Sequence, residues 1–149
     1  MKKLTLLLII LYPFSAYSLE KTKEEKVAKF IIQNIQKDYV TCYSFYKVGV
    51  EVFKKAKKDK EMIKGLEKSA DVTLKFNYDL GEVLNLKPKY MAQITKAEVE
   101  KFTKIAQNDF QLLAKQYGLM CKKLVENQKQ RIDYWEEKGN KKIKWKKAF

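Results

Sequence analysis

The chain has 149 residues and a formal net charge of +14 at pH 7, and it contains no histidine. The absence of histidine excludes Ser-His and Cys-His nucleophilic catalysis, His-ligated haem and most zinc and di-iron sites. Five glycines and two prolines are few for the tight turns of a compact β-sheet protein, so the composition favours an all-helical domain.

The first 18 residues have the pattern of a secretory signal peptide. Lys2 and Lys3 precede an apolar stretch over residues 4–11, and small residues at 16 and 18 are typical of a cleavage site. The segment from Leu4 to Leu19 is shorter than the roughly 20 apolar residues of a membrane-spanning helix, which favours cleavage near Ser18 over the alternative of an uncleaved anchor. We therefore expect a periplasmic or secreted protein.

The first mature helix is predicted from Thr22 to about Lys58. Thr22 and Glu25 have the spacing of a capping box, which satisfies free N–H groups at a helix start. Gly49 falls on the apolar face, where it either lets another helix approach closely or is only a weak point in the helix. That face has helical spacing and comprises Ala28, Ile31, Ile35, Tyr39, Cys42, Tyr46, Gly49, Phe53 and Ala56.

A second helix is predicted after the lysine-rich sequence at residues 54–60. Asp59 is a suitable N-cap, and Gly65 is the alternative position for the break. The connection at residues 85–88 ends in Pro88, which suits the first turn of a following helix. The second helix should reach about Leu84. Its inward-facing residues should be Met62, Leu66, Ala70, Thr73, Leu74, Asn77, Gly81 and Leu84.

One long helix is predicted from Thr95 to Lys138, after a possible short helix near Tyr90. Thr95 and Glu98 have capping-box spacing, and apolar residues then recur every three or four positions. An unbroken helix of this length would span roughly 65 Å. Gly118 in its middle is either a kink or a tolerated glycine.

These elements predict an all-α fold: a three- or four-helix bundle with one long C-terminal helix, pinned by one disulfide. The helical domain should comprise residues 19–138, and Gly139 with Asn140 should end its last helix. Residues 139–149 are then a basic flexible tail.

Cys42 and Cys121 both fall on apolar helix faces. Two cysteines in an exported chain predict a disulfide, and two separate buried thiols are the alternative. In an up-down-up bundle the two cysteines would lie on the first and third helices, which run parallel.

Carboxylate pairs are the remaining candidates for catalysis. Asp133 and Glu137 lie one turn apart on a predicted helix, and a glycosidase needs two carboxyl groups at a defined separation. Their neighbours are lysine, glutamine and arginine, which favours ordinary solvated charges, as for Glu98 and Glu100. No Asp-x-Asp-x-Asp-Gly calcium loop is present. We therefore predict a non-enzyme without catalytic residues, metal site, haem, zinc or other cofactor.

Aromatic residues concentrate at two places. Tyr39, Tyr43 and Tyr46 flank Cys42, and a second group near the end of the long helix comprises Arg131, Tyr134 and Trp135. One interpretation of these groups is a pocket for an apolar ligand. A packed core with hydroxyl groups reaching solvent is the preferred interpretation of this spacing.

The C-terminal residues alternate lysine with apolar side chains, a pattern that suits an anionic bilayer surface or a solvated tail. We expect a non-catalytic protein that binds an anionic envelope surface or a protein partner. The alternative is an inhibitor or immunity-type protein that blocks an enzyme, and a carboxylate-dependent hydrolase is a third possibility. The export signal argues against nucleic acid as a partner. The residues predicted to bind the anionic surface are Lys141, Lys142, Lys144, Trp145, Lys146 and Lys147.

Overall fold

A computed structural model describes residues 22–143, and all regular structure in this range is helical. The predicted signal peptide, residues 1–18, lies outside it. The all-α fold and the four-helix bundle are confirmed. The elements are α1 (Lys23–Lys55), α2 (Lys60–Val83), α3 (Pro88–Leu113), a π-helical turn (Ala114–Gly118), α4 (Leu119–Glu126) and α5 (Gln128–Lys142).

Local hydrogen bonds close both ends of α1. The Thr22 hydroxyl accepts a hydrogen bond from the Glu25 N–H at 3.2 Å, and the Thr22 N–H donates to the Glu25 carboxylate at 3.1 Å, which confirms the capping box. At the other end Lys57 adopts a left-handed conformation with φ of 51°. The Lys58 N–H then bonds the Phe53 carbonyl at 3.0 Å, as in a Schellman motif.

The predicted reversal at residues 54–60 is confirmed, and Gly65 lies inside α2. Asp59 caps α2, because its carboxylate accepts from the N–H groups of Glu61 and Met62 at 2.9 and 3.1 Å. Pro88 occupies the first turn of α3, also as predicted.

The prediction of one unbroken helix from Thr95 to Lys138 is wrong, because the chain reverses at Asp109. Asp109 has an extended backbone, with φ −158° and ψ 98°, and its carboxylate accepts from the Gln111 N–H at 2.8 Å. The rings of Phe102 and Tyr117, on either side of this break, lie 4.9 Å apart. Residues 110–142 therefore form a fourth helical segment, which contains the last turn of α3, the π-helical turn, α4 and α5.

This fourth segment runs antiparallel to α1. Phe110 packs on Phe45 and Phe53 near the C-terminal end of α1, whereas Gly139 packs on Val27 near its N-terminal end. Asn127 interrupts the segment, with φ −148° and ψ 75°. Gly118, where a kink was one of the two predicted alternatives, is the last residue of the π-helical turn.

Helix α1 lies at the centre of the bundle. It packs against α2, α3 and the fourth segment, so residues between Asp38 and Val50 are buried on almost every side of the helix. Only a helix enclosed by neighbours buries its full circumference. Gly49 takes part in this packing: a Cβ at that position would lie 3.3 Å from the Phe110 ring, so the close approach predicted as one alternative is present.

Two predicted helix boundaries are wrong for reasons of packing. Thr95 lies inside α3, and its hydroxyl accepts from the Asn77 side-chain amide at 3.0 Å instead of capping a helix. Gly139 is buried inside α5, which continues to Lys142. A Cβ at Gly139 would lie 3.1 Å from the Phe30 ring, so this glycine allows helix contact rather than helix termination.

None of the helices between residues 22 and 143 is both long and apolar enough to cross a membrane.

Candidate functional site

The disulfide predicted between Cys42 and Cys121 is confirmed. The two sulfur atoms are 2.10 Å apart, the Cα atoms 5.2 Å apart, and both residues are fully buried. The expectation of parallel helices is wrong, because Cys121 lies on α4, which runs antiparallel to α1. The bond therefore joins the centre of α1 to the fourth segment.

A second connection between these two segments is polar. Arg131 donates from Nε and Nη2 to the carboxylate of Asp38, at 2.6 and 3.0 Å. Trp135 donates its indole N–H to the same carboxylate at 2.6 Å, and its ring meets the edge of Phe30. The Arg131 guanidinium also lies 4.4 Å from the ring centroid of Tyr134. The aromatic residues near the end of the chain therefore hold α5 against α1.

The tyrosines flanking Cys42 belong mainly to the core. Tyr39 is 1% exposed and stacks on Phe76 with ring centroids 5.1 Å apart. Burial, with a smaller contribution from the Asp38 charge, raises the pKa of Tyr39 to about 12. Burial likewise raises the pKa of Tyr46 to about 12, and the nearby Glu126 charge adds to that effect. These side chains fill the core, as the preferred interpretation predicted.

The candidate catalytic carboxylates are each paired with a lysine of their own helix. Asp133 pairs with Lys129 at 2.7 Å, one turn away on the same helix. Glu137 pairs with Lys141 in the same way, and this contact lowers the Glu137 carboxyl pKa. A general acid needs a raised pKa, so the environment of Glu137 is the reverse of what acid catalysis requires.

Glu98 and Glu100 are also paired within their own helix, with Lys101 at 3.0 Å and Lys96 at 3.8 Å. Across residues 22–143, no group of three or more carboxylate or cysteine side chains is arranged to hold a metal ion.

Two open grooves follow the line along which α1 meets α3. The first, about 570 Å³, lies between α1 and the connection from α2 to α3. The second, about 700 Å³, lies nearer the C-terminal end of α1, and its lining includes valine and alanine. Charged residues border both, with Lys29 and Lys37 at the first and Lys47 and Lys55 at the second.

The predicted surface-binding residues fall into two groups. Lys141 and Lys142 lie on the last turn of α5; Lys141 pairs with Glu137, and the Lys142 ammonium lies 5.3 Å from the Phe30 ring centroid. Lys144, Trp145, Lys146 and Lys147 lie outside the described residues. Their role stays a prediction.

The opposite end of the bundle carries a basic surface that the sequence interpretation missed. We call residues 54–62 and 104–115 the turn end, because they contain the α1–α2 turn and the Asp109 turn. The Phe53 and Phe110 rings, 5.8 Å apart, place these two turns at the same end. A run of lysines was visible at 54–60, but its proximity to residues 104–115 depends on the reversal at Asp109.

No protein-family model matches this chain, and searches of curated proteins and of solved structures found no match either.

Proposed function

We propose that the chain is a non-catalytic exported protein that binds an anionic surface of the cell envelope through residues 141–149. The observation that carries this proposal is the position of Lys142. Because Gly139 packs on Val27 and Lys142 lies over Phe30, the end of α5 is fixed at the α1 N-terminal end of the bundle. The last six residues therefore follow a helix end that lies at one end of the bundle rather than in its core.

The charge of this region suits an anionic bilayer. Each lysine near such a surface contributes about 1 kcal/mol, and tryptophan favours the membrane interface. Residues 144–149 add Lys144, Lys146 and Lys147 together with Trp145, and they contain no acidic residue. Asp133 and Glu137 of the last helix are already paired with lysines one turn away, which supports a charged, non-catalytic surface.

The test compares the mature chain, residues 19–149, with a variant that ends at Ile143. Both keep every helix through Lys142, so we expect the same circular-dichroism spectrum and melting temperature. We expect the shortened protein to bind anionic phospholipid vesicles at least tenfold more weakly, since three lysines and Trp145 are removed.

A matched control separates position from total charge. Lys68, Lys75 and Lys89 are exposed on the body of the bundle, and their joint replacement by glutamine removes the same three charges. We expect this variant to bind nearly as well as the intact chain. Equal vesicle binding by the intact and shortened proteins would refute the proposal. One stoichiometric protein partner without vesicle binding would favour the inhibitor alternative.

A further inference from the structure

The turn end combines strong positive charge with few available acids. It contains seven exposed lysines and three acidic residues. Asp59 and Asp109 cap helices through their carboxylates, and Lys54 pairs with Glu67 at 2.8 Å. Within residues 22–143, no ion pair links a carboxylate to the other six lysines: Lys55, Lys57, Lys58, Lys60, Lys104 and Lys115.

Two large apolar side chains project from the same end. Met62 is 51% exposed and Leu112 is 52% exposed. Met62 follows the Asp59 cap, where α2 begins, and Leu112 follows the Asp109 turn, so each lies within one helical turn of a chain reversal. Exposed apolar residues surrounded by lysines are typical of surfaces that enter the interfacial region of an anionic membrane.

The turn end and the last turn of α5, which carries Lys141 and Lys142, lie at opposite ends of α1. Helix α1 has 33 residues and contacts the turn end through Phe53 and the last turn of α5 through Val27. At 1.5 Å per residue these contacts are separated by roughly 40 Å. This distance exceeds the Debye length of about 8 Å at physiological ionic strength, so each end attracts an anionic surface independently.

We propose that the turn end is a second contact for anionic lipid bilayers, so that one molecule can link two bilayers. The linking of two bilayers rests on the proposed function, because it needs membrane binding by residues 141–149 as well. Binding at the turn end alone can be measured without the C-terminal residues. Met62 and Leu112 would supply apolar contact, and the neighbouring lysines would supply attraction to lipid phosphates.

The experiment uses unilamellar vesicles with 30 mol% phosphatidylserine in phosphatidylcholine, with binding measured by co-sedimentation and linking by dynamic light scattering. The first variant replaces Lys55, Lys57, Lys58 and Lys60 with glutamine. Its control replaces Lys68, Lys75, Lys89 and Lys123, which are exposed elsewhere and give the same change in charge. A second variant, Met62→Ser with Leu112→Ser, tests the apolar contact.

We expect the intact chain and the control to link vesicles into clusters. The turn-end lysine variant should still bind single vesicles through the C-terminal residues but should not cluster them. In the chain ending at Ile143, the turn-end lysine changes should weaken vesicle binding at least tenfold. In the same shortened chain, Met62→Ser with Leu112→Ser should weaken it about tenfold. Circular dichroism should be unchanged in every variant.

The outcomes separate the two proposals. Clustering by the turn-end lysine variant equal to that of the intact chain would overturn the second contact. Loss of all binding on removal of residues 144–149 would overturn the second contact alone and leave the proposed function intact. Full binding after that removal, abolished by the turn-end changes, would overturn the proposed function and leave the second contact intact.

Discussion

Asp38 and Arg131, 93 residues apart in sequence, form a two-point ion pair that joins the middle of α1 to α5. The Asp38 carboxylate is largely buried and also accepts the Trp135 indole N–H. The pair lies between the disulfide and the contact of Gly139 with α1. It therefore fixes how the last helix lies along the bundle.

We predict that Arg131→Gln lowers the free energy of unfolding by about 3 kcal/mol. The change leaves the buried Asp38 carboxylate without its charged partner, and loss of one partner of a buried pair is costly. Lys129→Gln is the matched control: it breaks an exposed pair with Asp133 and should cost less than about 1 kcal/mol. Urea denaturation measures both. Equal effects of the two changes would show that the Asp38 pair has no special role.

The disulfide should be the largest single contribution to stability. Cys42 and Cys121 are 79 residues apart, and the chain-entropy estimate for such a loop is about 4.5 kcal/mol. We therefore expect the Cys42→Ala, Cys121→Ala double variant to lose about 4 kcal/mol in urea denaturation. Mass measurement of the native protein should show the loss of two hydrogens. Two thiols that alkylate freely in the native exported protein would contradict the bond.

Two helical glycines should respond in opposite ways to alanine. A Cβ at Gly65 would meet no atom within 4 Å, so Gly65→Ala should stabilise the protein by about 0.5–1 kcal/mol through helix propensity. A Cβ at Gly81 would lie 2.2 Å from the sulfur of the buried Met91, so Gly81→Ala should destabilise it by about 1–3 kcal/mol. Thermal melting compares them. A stabilising Gly81→Ala would mean that Met91 moves aside without cost.

Stability should fall in alkaline solution because two buried tyrosines resist ionisation. Burial raises the pKa of Tyr39 and Tyr46 from the ordinary 10 to about 12, so the folded protein retains protons that the unfolded chain releases. This contribution is fully present below pH 10 and is lost as the pH rises from 10 to 12. Urea denaturation at pH 9 and pH 11 measures it. The Tyr39→Phe, Tyr46→Phe double variant should lose less stability over that interval, and an unchanged loss would exclude these tyrosines as the cause.

Short-range sequence signals predicted the first half of the fold correctly. The Thr22 capping box, the Asp59 cap and Pro88 all act through residues within one helical turn, so no tertiary information is needed to recognise them. The pairing of Cys42 with Cys121 was also predictable, because only two cysteines are present. Their antiparallel arrangement was not, since it depends on the turn at Asp109.

The reversal at Asp109 was hidden because the apolar spacing continues on both sides of it. Phe102 and Phe110 both face the interior, one from each helix, so the pattern resembles a single long helix. The available signal was the pair Asn108-Asp109, since aspartate favours N-caps over helix interiors. The local sequence pattern predicted that Thr95 caps a helix, but Thr95 lies inside α3 and accepts a tertiary hydrogen bond from Asn77.

The candidate binding surfaces were only partly predictable for the same reason. Charge alone indicated the C-terminal lysines, which are contiguous in sequence. Predicting the turn end would have required knowing that residues 54–62 and 104–115 lie at the same end of the bundle. The prediction from helical spacing that Met62 faces inward is wrong: Met62 lies in the first turn of α2 and is 51% exposed.

Co-sedimentation of the mature chain with vesicles tests binding to an anionic surface most directly. The vesicles should be anionic in one series and zwitterionic in the other, each at low and high salt. We predict strong binding to anionic vesicles at low salt, a marked loss at high salt because exposed charges are screened, and little binding to zwitterionic vesicles. Equal binding to both vesicle types, or no binding to anionic vesicles at low salt, would contradict the proposed function.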